Sequence, residues 1–342
     1  MKKKSFFSIL LSLLLIFHLV LAPVPAQAAL YIPITAPSVI LIDSVTHQVL
    51  YAKTPHLKRA PASTAKILTA IVALENLPLD RVVSIPAFAE QTEPSKIHAR
   101  QGERYYVRDL IRATLISSAN DAAEVLGVAA GGSRAGFSSM MNQKARSIGA
   151  KRSHFVRASG LPAKNQYSTA YDMALIMQYA GRYPFLVSTL RTKQTVIQSL
   201  DGRRIFLKNH NKMLWRGHRE VIGKTGWTRQ ARHCFVGEIG FNHKVFIAML
   251  GSHRLWRDLK TIVDYHFGKS ISPVRQNRKL WGRRESASIQ VALQRAGFNP
   301  GPVDGSFGPQ TVTAIQRFQA SHGLPADGVA GPQTWKALRR YL

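Results

Sequence analysis

Three short motifs, which occur in one order, constrain this chain of 342 residues more than any other feature. They are Ser63-Thr64-Ala65-Lys66, Ser118-Ala119-Asn120 and Lys224-Thr225-Gly226. Together they supply a nucleophile, a base, a second hydroxyl and a cation that can bind a carboxylate. That combination indicates a serine acyl-transferase acting on amides. Each motif alone is weak evidence, so the argument depends on all three occurring in one chain.

The first motif places a hydroxyl and an amine on one face of a predicted helix. The helical pattern begins at Ser63, and Lys66 follows three residues later. A backbone N–H in a first helical turn, together with the helix dipole, favours an oxyanion there. A desolvated lysine can lose its proton and then accept one from Ser63. The alternative is a helix N-cap followed by a surface lysine.

The second motif offers another hydroxyl and an amide. Ser118 is a candidate to relay a proton between Lys66 or Lys224 and the leaving amine. Asn120 is a candidate to hold a substrate carbonyl and to fix the position of the lysine. Taken alone, an ordinary helix-capping pair explains these residues equally well.

The third motif suits an edge strand. There Gly226 would allow a substrate backbone to approach closely, and Lys224 with Thr225 would bind a terminal carboxylate. The backbone N–H of Trp227 would be a second oxyanion donor. The alternative is a basic turn on a basic protein.

Strand patterns lie near both ends of the first 267 residues, and helical patterns lie between them. Strands are predicted at 39–42, 49–51, 234–239 and 245–250, and helices at 63–74, 107–130, 137–148, 169–179 and 255–267. This order predicts an α+β domain whose antiparallel sheet is completed by both chain ends and packs against a helical cluster. Cys234, the only cysteine, is expected to be a buried structural thiol.

Residues 1–28 are typical of a secretory signal peptide, with three lysines, an apolar run and a small-residue cleavage site. An uncleaved membrane anchor is the alternative. The formal net charge of +29 indicates an anionic partner. For an exported protein, anionic wall polymers or acidic lipid head groups fit better than nucleic acid, which we do not expect. A solvated basic surface without a partner is the alternative. We expect no cofactor and no metal.

The C-terminal part predicts a second, all-α module. The catalytic domain is expected at 29–268, a basic linker at 269–284 and the module at 285–342. Within the module, Asp304–Thr311 recurs as Asp327–Thr334, and each copy combines an Asp-Gly turn with a Gly-Pro helix start.

The catalytic part resembles the serine D-alanyl-D-alanine carboxypeptidases, the low-molecular-mass penicillin-binding proteins. Further segments that resemble the family are Met141-Asn142, Gly160-Leu161-Pro162, Ser168-Thr169-Ala170 with Asp172, and Asn209-His210-Asn211. The resemblance implies a serine β-lactamase/penicillin-binding-protein-like fold. It also implies an acyl-enzyme on Ser63, with Lys66 as base and β-lactams as inhibitors. Residues 285–342 resemble a small peptidoglycan-binding module, which implies attachment to wall glycan.

Two segments depart from the family pattern. Ala231-Arg232 stands where the family usually has Ala-Gly, and Arg157-Ala158-Ser159 stands in place of Asn-Pro-His. An arginine at 232 would crowd the strand or contact substrate.

Three functions compete with removal of the terminal D-Ala from wall pentapeptides, outside the cytoplasm at the cell envelope. A D,D-endopeptidase would cut peptide cross-links with the same residues. A class A-type β-lactamase is disfavoured, because Ala119 stands in the middle of the second motif and no matching Glu-x-x-Leu-Asn stretch occurs. A non-catalytic wall-binding scaffold is the third alternative.

Overall fold

The computed structural model describes residues 32–218, 220–240, 244–266, 277, 280–324 and 326–342. The predicted signal peptide and most of the predicted linker lie outside these ranges. The chain forms two compact units, one of Ile32–Ile271 and one that includes Ser272–Leu342. No helix within the described ranges is both long and apolar enough to cross a bilayer.

The larger unit is built on a five-stranded antiparallel sheet with the order β2-β1-β9-β8-β7. The two N-terminal strands lie beside the strand that is last in the chain, so both ends of the domain complete the sheet as predicted. Strand β7 forms one edge. The five strands are β1 (Ser38–Asp43), β2 (Val49–Lys53), β7 (Val221–Thr228), β8 (Arg232–Ile239) and β9 (Val245–Ser252).

Two short hairpins that the sequence patterns did not predict complete the strands. The first pairs β3 (Val82–Ser84) with β4 (Arg104–Tyr106), and the second pairs β5 (Gln194–Gln198) with β6 (Arg204–Lys208). Each strand has three to five residues, and most of their side chains are at least partly exposed. Short, half-exposed strands carry too few alternating apolar residues to be recognised from the sequence.

Eight α-helices are described in the larger unit, most of them in a cluster on one face of the sheet. They are α1 (Lys66–Asn76), α2 (Val107–Ile116), α3 (Asn120–Gly131), α4 (Arg134–Ile148), α5 (Ala170–Ala180), α6 (Pro184–Arg191), α7 (Lys212–Trp215) and α8 (Leu255–His266). Short 3₁₀ turns cover Ala62–Ala65 and Ala87–Ala89. The first of these turns leads directly into α1.

Both faces of the sheet are covered, which explains why all six residues of β1 are buried. Ile40 and Ile42 pack into the apolar cluster with the helices around α1. Val39 and Leu41 pack on the opposite face, against Leu255, Leu259, Ile262 and Val263 of α8. Burial on two faces fixes the register of β1, because a slip of one residue would exchange the two sets.

Helix α1 lies inside the helical cluster, and its residues Lys66–Ala73 are all buried. A helix that is apolar all round belongs in a core. The charged residue in this segment is Lys66, a residue type that is fully buried only when it has partners. The most central helix of the domain therefore holds a buried amine at its first residue.

The predicted helix over 107–130 is wrong in one respect, because the structure breaks it between Ile116 and Asn120. Ser118 has a φ of 59°, a left-handed conformation that ends a right-handed helix. The new helix is anchored from outside, since the backbone N–H of Asn120 donates to the Ser95 carbonyl at 2.7 Å. Because of the break, Ser118 lies between two helices instead of inside one continuous helix.

Cys234 is fully buried in β8, as predicted. Burial raises the pKa of its thiol to about 11. A thiol with so high a pKa is a poor nucleophile.

The C-terminal unit contains helices α9 (Arg283–Arg295), α10 (Pro309–Ser321) and α11 (Pro332–Leu338), followed by a 3₁₀ turn at Arg339–Tyr341. Helices α10 and α11 start at the two predicted Gly-Pro positions, because a Gly N-cap and a Pro in the first turn open each one. Asn277 and Trp281, which lie in the predicted linker, bond to Gly328 and Ala330 and so belong to this unit.

The sequence repeat is also a structural repeat. In each copy a buried glutamine from the preceding helix accepts from the glycine N–H of the Asp-Gly turn and donates to the aspartate side chain. Gln290 makes these bonds with Gly305 and Asp304, and Gln319 makes them with Gly328 and Asp327. Both glycines have positive φ. The two Asp-Gly turns are therefore held by the same device.

Arg232 sits at the start of β8 with a φ of 59° and an exposed side chain. The predicted crowding of the strand does not occur. The backbone instead adopts a left-handed conformation, which glycine adopts without strain and other residues do not. This explains why a glycine suits the position.

We expect Arg232→Gly to raise the free energy of unfolding by about 1 kcal/mol, because it relieves the left-handed strain. Arg229→Gly is the matched control, since Arg229 is exposed in the same turn and has an ordinary φ. It should be neutral or slightly destabilising. Urea unfolding of both variants checks this, and an equal loss of stability in both would contradict it.

Candidate functional site

The three motifs converge on one pocket of about 360 Å³. It lies between the start of α1, the break before α3 and the edge strand β7. Six of the eight predicted site residues line it: Ser63, Ser118, Asn120, Thr225, Gly226 and Trp227. The other two, Lys66 and Lys224, are buried behind its wall, at 0% and 1% exposure.

The amine of Lys66 has three oxygen partners. Its Nζ lies 2.9 Å from Ser63 Oγ, 2.6 Å from Asn120 Oδ1 and 2.6 Å from the Ser159 carbonyl. Because the Asn120 amide nitrogen donates to the Glu93 carbonyl at 2.9 Å, its oxygen must face Lys66. A neutral amine has two N–H groups, which the amide and carbonyl oxygens accept. Its lone pair is then directed at the Ser63 hydroxyl.

Burial also favours that neutral form. Desolvation, followed by the nearby positive charge of Lys224, holds the pKa of Lys66 well below its usual value. Desolvation lowers the pKa of Lys224 to about 7. The lowered pKa increases the neutral fraction of Lys66, which is the form that can accept a proton in general base catalysis.

Ser63 lies in the 3₁₀ turn Ala62–Ala65, where Pro61 precedes it and Ala62 has a φ of 48°. This turn directs the half-buried hydroxyl into the pocket instead of along the helix. Positive φ at a non-glycine residue is a sign of strain that a functional site can retain.

Gly226 brings the edge strand against this turn. A Cβ at position 226 would lie 2.9 Å from the Ser63 backbone nitrogen and 3.0 Å from the Ala62 Cβ. We expected this glycine to admit a substrate backbone; in the structure its missing side chain admits the turn that carries Ser63. The close approach places the strand backbone beside Ser63.

Lys224 and Thr225 point to opposite faces of β7, as neighbours in a strand must. Lys224 Nζ donates to the Thr225 carbonyl at 2.8 Å, whereas Thr225 itself lines the pocket. The buried cation therefore lies behind the strand, within electrostatic range of Lys66. Trp227 is 60% exposed at the pocket wall, and its ring centroid is 6.3 Å from that of His233.

The structure adds residues that the motif analysis did not select. Glu124 is 2% exposed in α3, and its carboxylate accepts from the Ser159 N–H at 3.1 Å. Arg157 lies 3.7 Å from Glu124 and makes a bidentate pair with Glu93. The sequence does carry a signal for Glu124, because it is the one acidic residue in the otherwise apolar run from 122 to 126.

His210 also lines the pocket, in one of the segments that carried the family resemblance. Its pKa falls to about 4 because the ring is partly withdrawn from water and lies near Lys224 and Lys66. The imidazole is therefore neutral at neutral pH. Lys212 and His233 complete a rim with basic residue types. No cluster of His, Cys, Asp or Glu suited to a metal ion occurs in the described part of the chain.

Comparison with known proteins gives two family matches. Residues 24–251 match the family described as D-alanyl-D-alanine carboxypeptidase. Residues 284–338 match a family of peptidoglycan-binding domains.

Individual relatives agree with the first match. The D-alanyl-D-alanine carboxypeptidase DacB2 of Mycobacterium tuberculosis is 31% identical over 67% of this chain and 81% of its own length. A D-alanyl-D-alanine endopeptidase of Escherichia coli is 28% identical over 77% of this chain and 87% of its own. The crystal structure of a D-alanyl-D-alanine carboxypeptidase from M. tuberculosis superposes with a TM-score of 0.65 at 30% identity, covering 71% of this chain and 96% of that one.

We expect Gly226→Ala to slow acylation of Ser63 by about 10- to 100-fold, because the added methyl pushes the strand away from the turn. Gly308→Ala adds a methyl where there is open space and is the control. Labelling rates with a fluorescent penicillin, measured beside thermal unfolding, check this. A normal rate in the Gly226 variant would show that the close approach is dispensable.

Proposed function

Because this chain belongs to the D-alanyl-D-alanine carboxypeptidase family, we propose that it removes the terminal D-Ala of wall pentapeptides through an acyl-enzyme on Ser63. The observation that carries this proposal is the distance of 2.9 Å between Lys66 Nζ and Ser63 Oγ. The other two partners that the described residues give this amine are acceptors, so neutral Lys66 can take a proton from the Ser63 hydroxyl.

The first chemical step uses this geometry. Ser63 Oγ attacks the carbonyl carbon of the penultimate D-Ala while its proton passes to Lys66 Nζ. The negative charge on the tetrahedral oxygen is stabilised by the backbone N–H groups of Ser63 and Trp227. The strand position next to the Ser63 nitrogen supports this pair of donors.

The second step expels the terminal D-Ala. Ser118, which has a left-handed backbone and lines the pocket, relays the proton held by Lys66 to the leaving nitrogen. The C–N bond breaks, and the acyl group stays on Ser63 as an ester. Water then attacks the ester carbon and gives a proton to Lys66. The bond between the acyl carbon and Ser63 Oγ breaks, Lys66 returns the proton to Ser63 Oγ, and the shortened peptide is released.

Substrate is held by the edge strand and by Asn120. Thr225 on the pocket wall and the charge of Lys224 behind it recognise the terminal carboxylate. Gly226 and Trp227 line the wall along which the peptide backbone lies, and the Asn120 amide lies beside its carbonyl. β-Lactams, which carry a strained amide and a carboxylate, acylate the same serine and are released slowly.

A D,D-endopeptidase is the second candidate, because relatives with that name are similar over much of this chain. Both reactions attack a D-alanyl carbonyl. They differ in whether the leaving amine belongs to free D-Ala or to a neighbouring stem peptide. The same residues serve both, so only the product distinguishes them.

The C-terminal unit attaches the enzyme to the wall, and the enzyme acts outside the cytoplasm after export. Its match to peptidoglycan-binding domains supports the glycan as its partner. Exposed arginines and lysines on this unit, including Arg284, Arg339 and Arg340, add attraction to anionic wall polymers.

Incubation of residues 29–342 with purified muropeptides should remove one alanine from pentapeptides, and Ser63→Ala should lose at least about 1,000-fold of this rate. Mass spectrometry measures the products. Conversion of cross-linked dimers to monomers would reassign the enzyme as an endopeptidase. Full activity in Ser63→Ala would refute the acyl-enzyme, and inactivity of the folded wild type would favour a scaffold.

Attachment to wall sacculi should weaken as salt rises, because it is partly electrostatic. A chain ending at residue 268 should bind less than the full chain at every salt concentration. Co-sedimentation measures this, with penicillin labelling as the check that the shorter chain is folded. Equal retention of both chains would remove the role of the C-terminal unit.

A further inference from the structure

The catalytic lysine belongs to a closed ring of hydrogen bonds and ion pairs that extends well outside the three motifs. Around the ring, each residue contacts the next, and the last contacts the first. Its members are Lys66, Asn120, Glu93, Arg157, Glu124 and Ser159. We propose that Arg157 and Glu124 are positioning residues that set the place and the charge state of Lys66.

Glu93 connects the pocket wall to the ring in two ways. Its backbone carbonyl accepts from the Asn120 amide, and its carboxylate accepts from the two terminal guanidinium nitrogens of Arg157, at 2.9 and 2.8 Å. Bidentate arginine–carboxylate pairs fix orientation as well as distance. The next two residues, Pro94 and Ser95, line the pocket. The pair thus ties one wall of the site to the Arg157 segment.

Glu124 closes the ring on the other side. Its side chain is only 2% exposed, and one oxygen accepts from the Ser159 N–H at 3.1 Å. The carbonyl of the same Ser159 accepts from Lys66 at 2.6 Å. A buried carboxylate needs a compensating charge, and Arg157 lies 3.7 Å away. Arg157 therefore balances a negative charge that is connected to Lys66 through the backbone of Ser159.

The charges that face Lys66 come from several elements. Lys224 on β7 and Arg157 lower the pKa of Lys66, whereas Glu124 and Asp121 on α3 raise it. His210 also lies near Lys66 and is neutral at neutral pH, because its pKa is about 4. Since Arg157 lowers the pKa of Lys66 and Glu124 raises it, removing one of them shifts that pKa in the direction set by the other.

The position of these residues explains the departure of the 157–159 segment from the family pattern. Arg157 supplies the cation of the ring, Ser159 supplies the backbone carbonyl and N–H, and Ala158 is buried between them. An arginine at 157 and an acid at 124 suit each other, because Arg157 is the cation that links the buried Glu124 carboxylate to Glu93.

The test is the pH dependence of penicillin acylation in the full chain, and it rests on the proposed acyl-enzyme. Acylation requires neutral Lys66, so its rate falls as the pH drops through the pKa of that amine. In Arg157→Ala the midpoint of this fall should move up by about half a pH unit or more, and the limiting rate should drop about tenfold. In Glu124→Gln, whose amide oxygen can still accept from Ser159, the midpoint should move down.

Two further variants separate charge from geometry. Arg157→Lys keeps the charge but loses the bidentate pair, so its midpoint should stay near the wild type while its limiting rate falls. Arg134→Ala is the matched control, because Arg134 also lies 3.7 Å from Glu124 but is 57% exposed and outside the ring. Its profile should be unchanged.

Opposite midpoint shifts in Arg157→Ala and Glu124→Gln support the proposal. A general loosening of the fold would not shift the midpoints of the two variants in opposite directions. Unchanged midpoints, or shifts in one direction, overturn it. If Arg157→Ala fails to fold, Glu124→Gln decides alone by the presence or absence of its downward shift. Absence of any Ser63 adduct in the wild type, by intact mass, would instead refute the proposed function.

Discussion

The desolvation of two lysines is the physical constraint on which this site depends. Lys66 and Lys224 are at most 1% exposed, and burial lowers both pKa values. The unfolded chain would bind protons at both amines at neutral pH, whereas the folded chain binds fewer. The contribution of Lys224 to the free energy of unfolding therefore rises with pH between about 7, its folded pKa, and its usual 10.5. The reactive amine is obtained at the expense of stability at neutral pH, as is common in active sites.

The rest of the domain compensates for this cost by making the site rigid. Lys66 begins a helix whose first eight residues are buried, so the amine cannot move to solvent without disrupting the core. On the opposite side, β7 is held by β8 through eight consecutive residue pairs. The two elements meet closely, since a Cβ added to Gly226 would lie only 2.9 Å from the Ser63 backbone nitrogen. The core helix thus holds Lys66, and the sheet edge holds the strand that faces Ser63.

The sequence predicted the parts of this arrangement that depend on local pattern. The sheet completed by both ends followed from apolar runs such as Val39–Ile42, and the motifs named six residues that line the pocket. It did not predict the break at Ser118, because a left-handed backbone there depends on contacts from Ser95, distant in sequence. Nor could it predict the role of the Ser159 carbonyl, since a backbone group carries no sequence signal. The sequence predicted that a backbone would approach Gly226 closely, which is correct. The approaching backbone, however, is that of Ala62 and Ser63 and not that of a substrate.

The two departures from the family pattern look alike in the sequence, since each introduces an arginine, but their physical consequences are opposite. Arg232 is exposed, and its consequence is confined to a left-handed backbone that glycine would adopt more easily. Arg157 has a normal backbone and acts through its guanidinium, which links Glu93 to a carboxylate buried beside the base. Whether an unusual residue matters for chemistry therefore depends on what its charged atoms contact. By that criterion, Arg157, which lies in a loop, is connected to Lys66 through Glu124 and Ser159, whereas Arg232, in the strand paired with the third motif, is exposed.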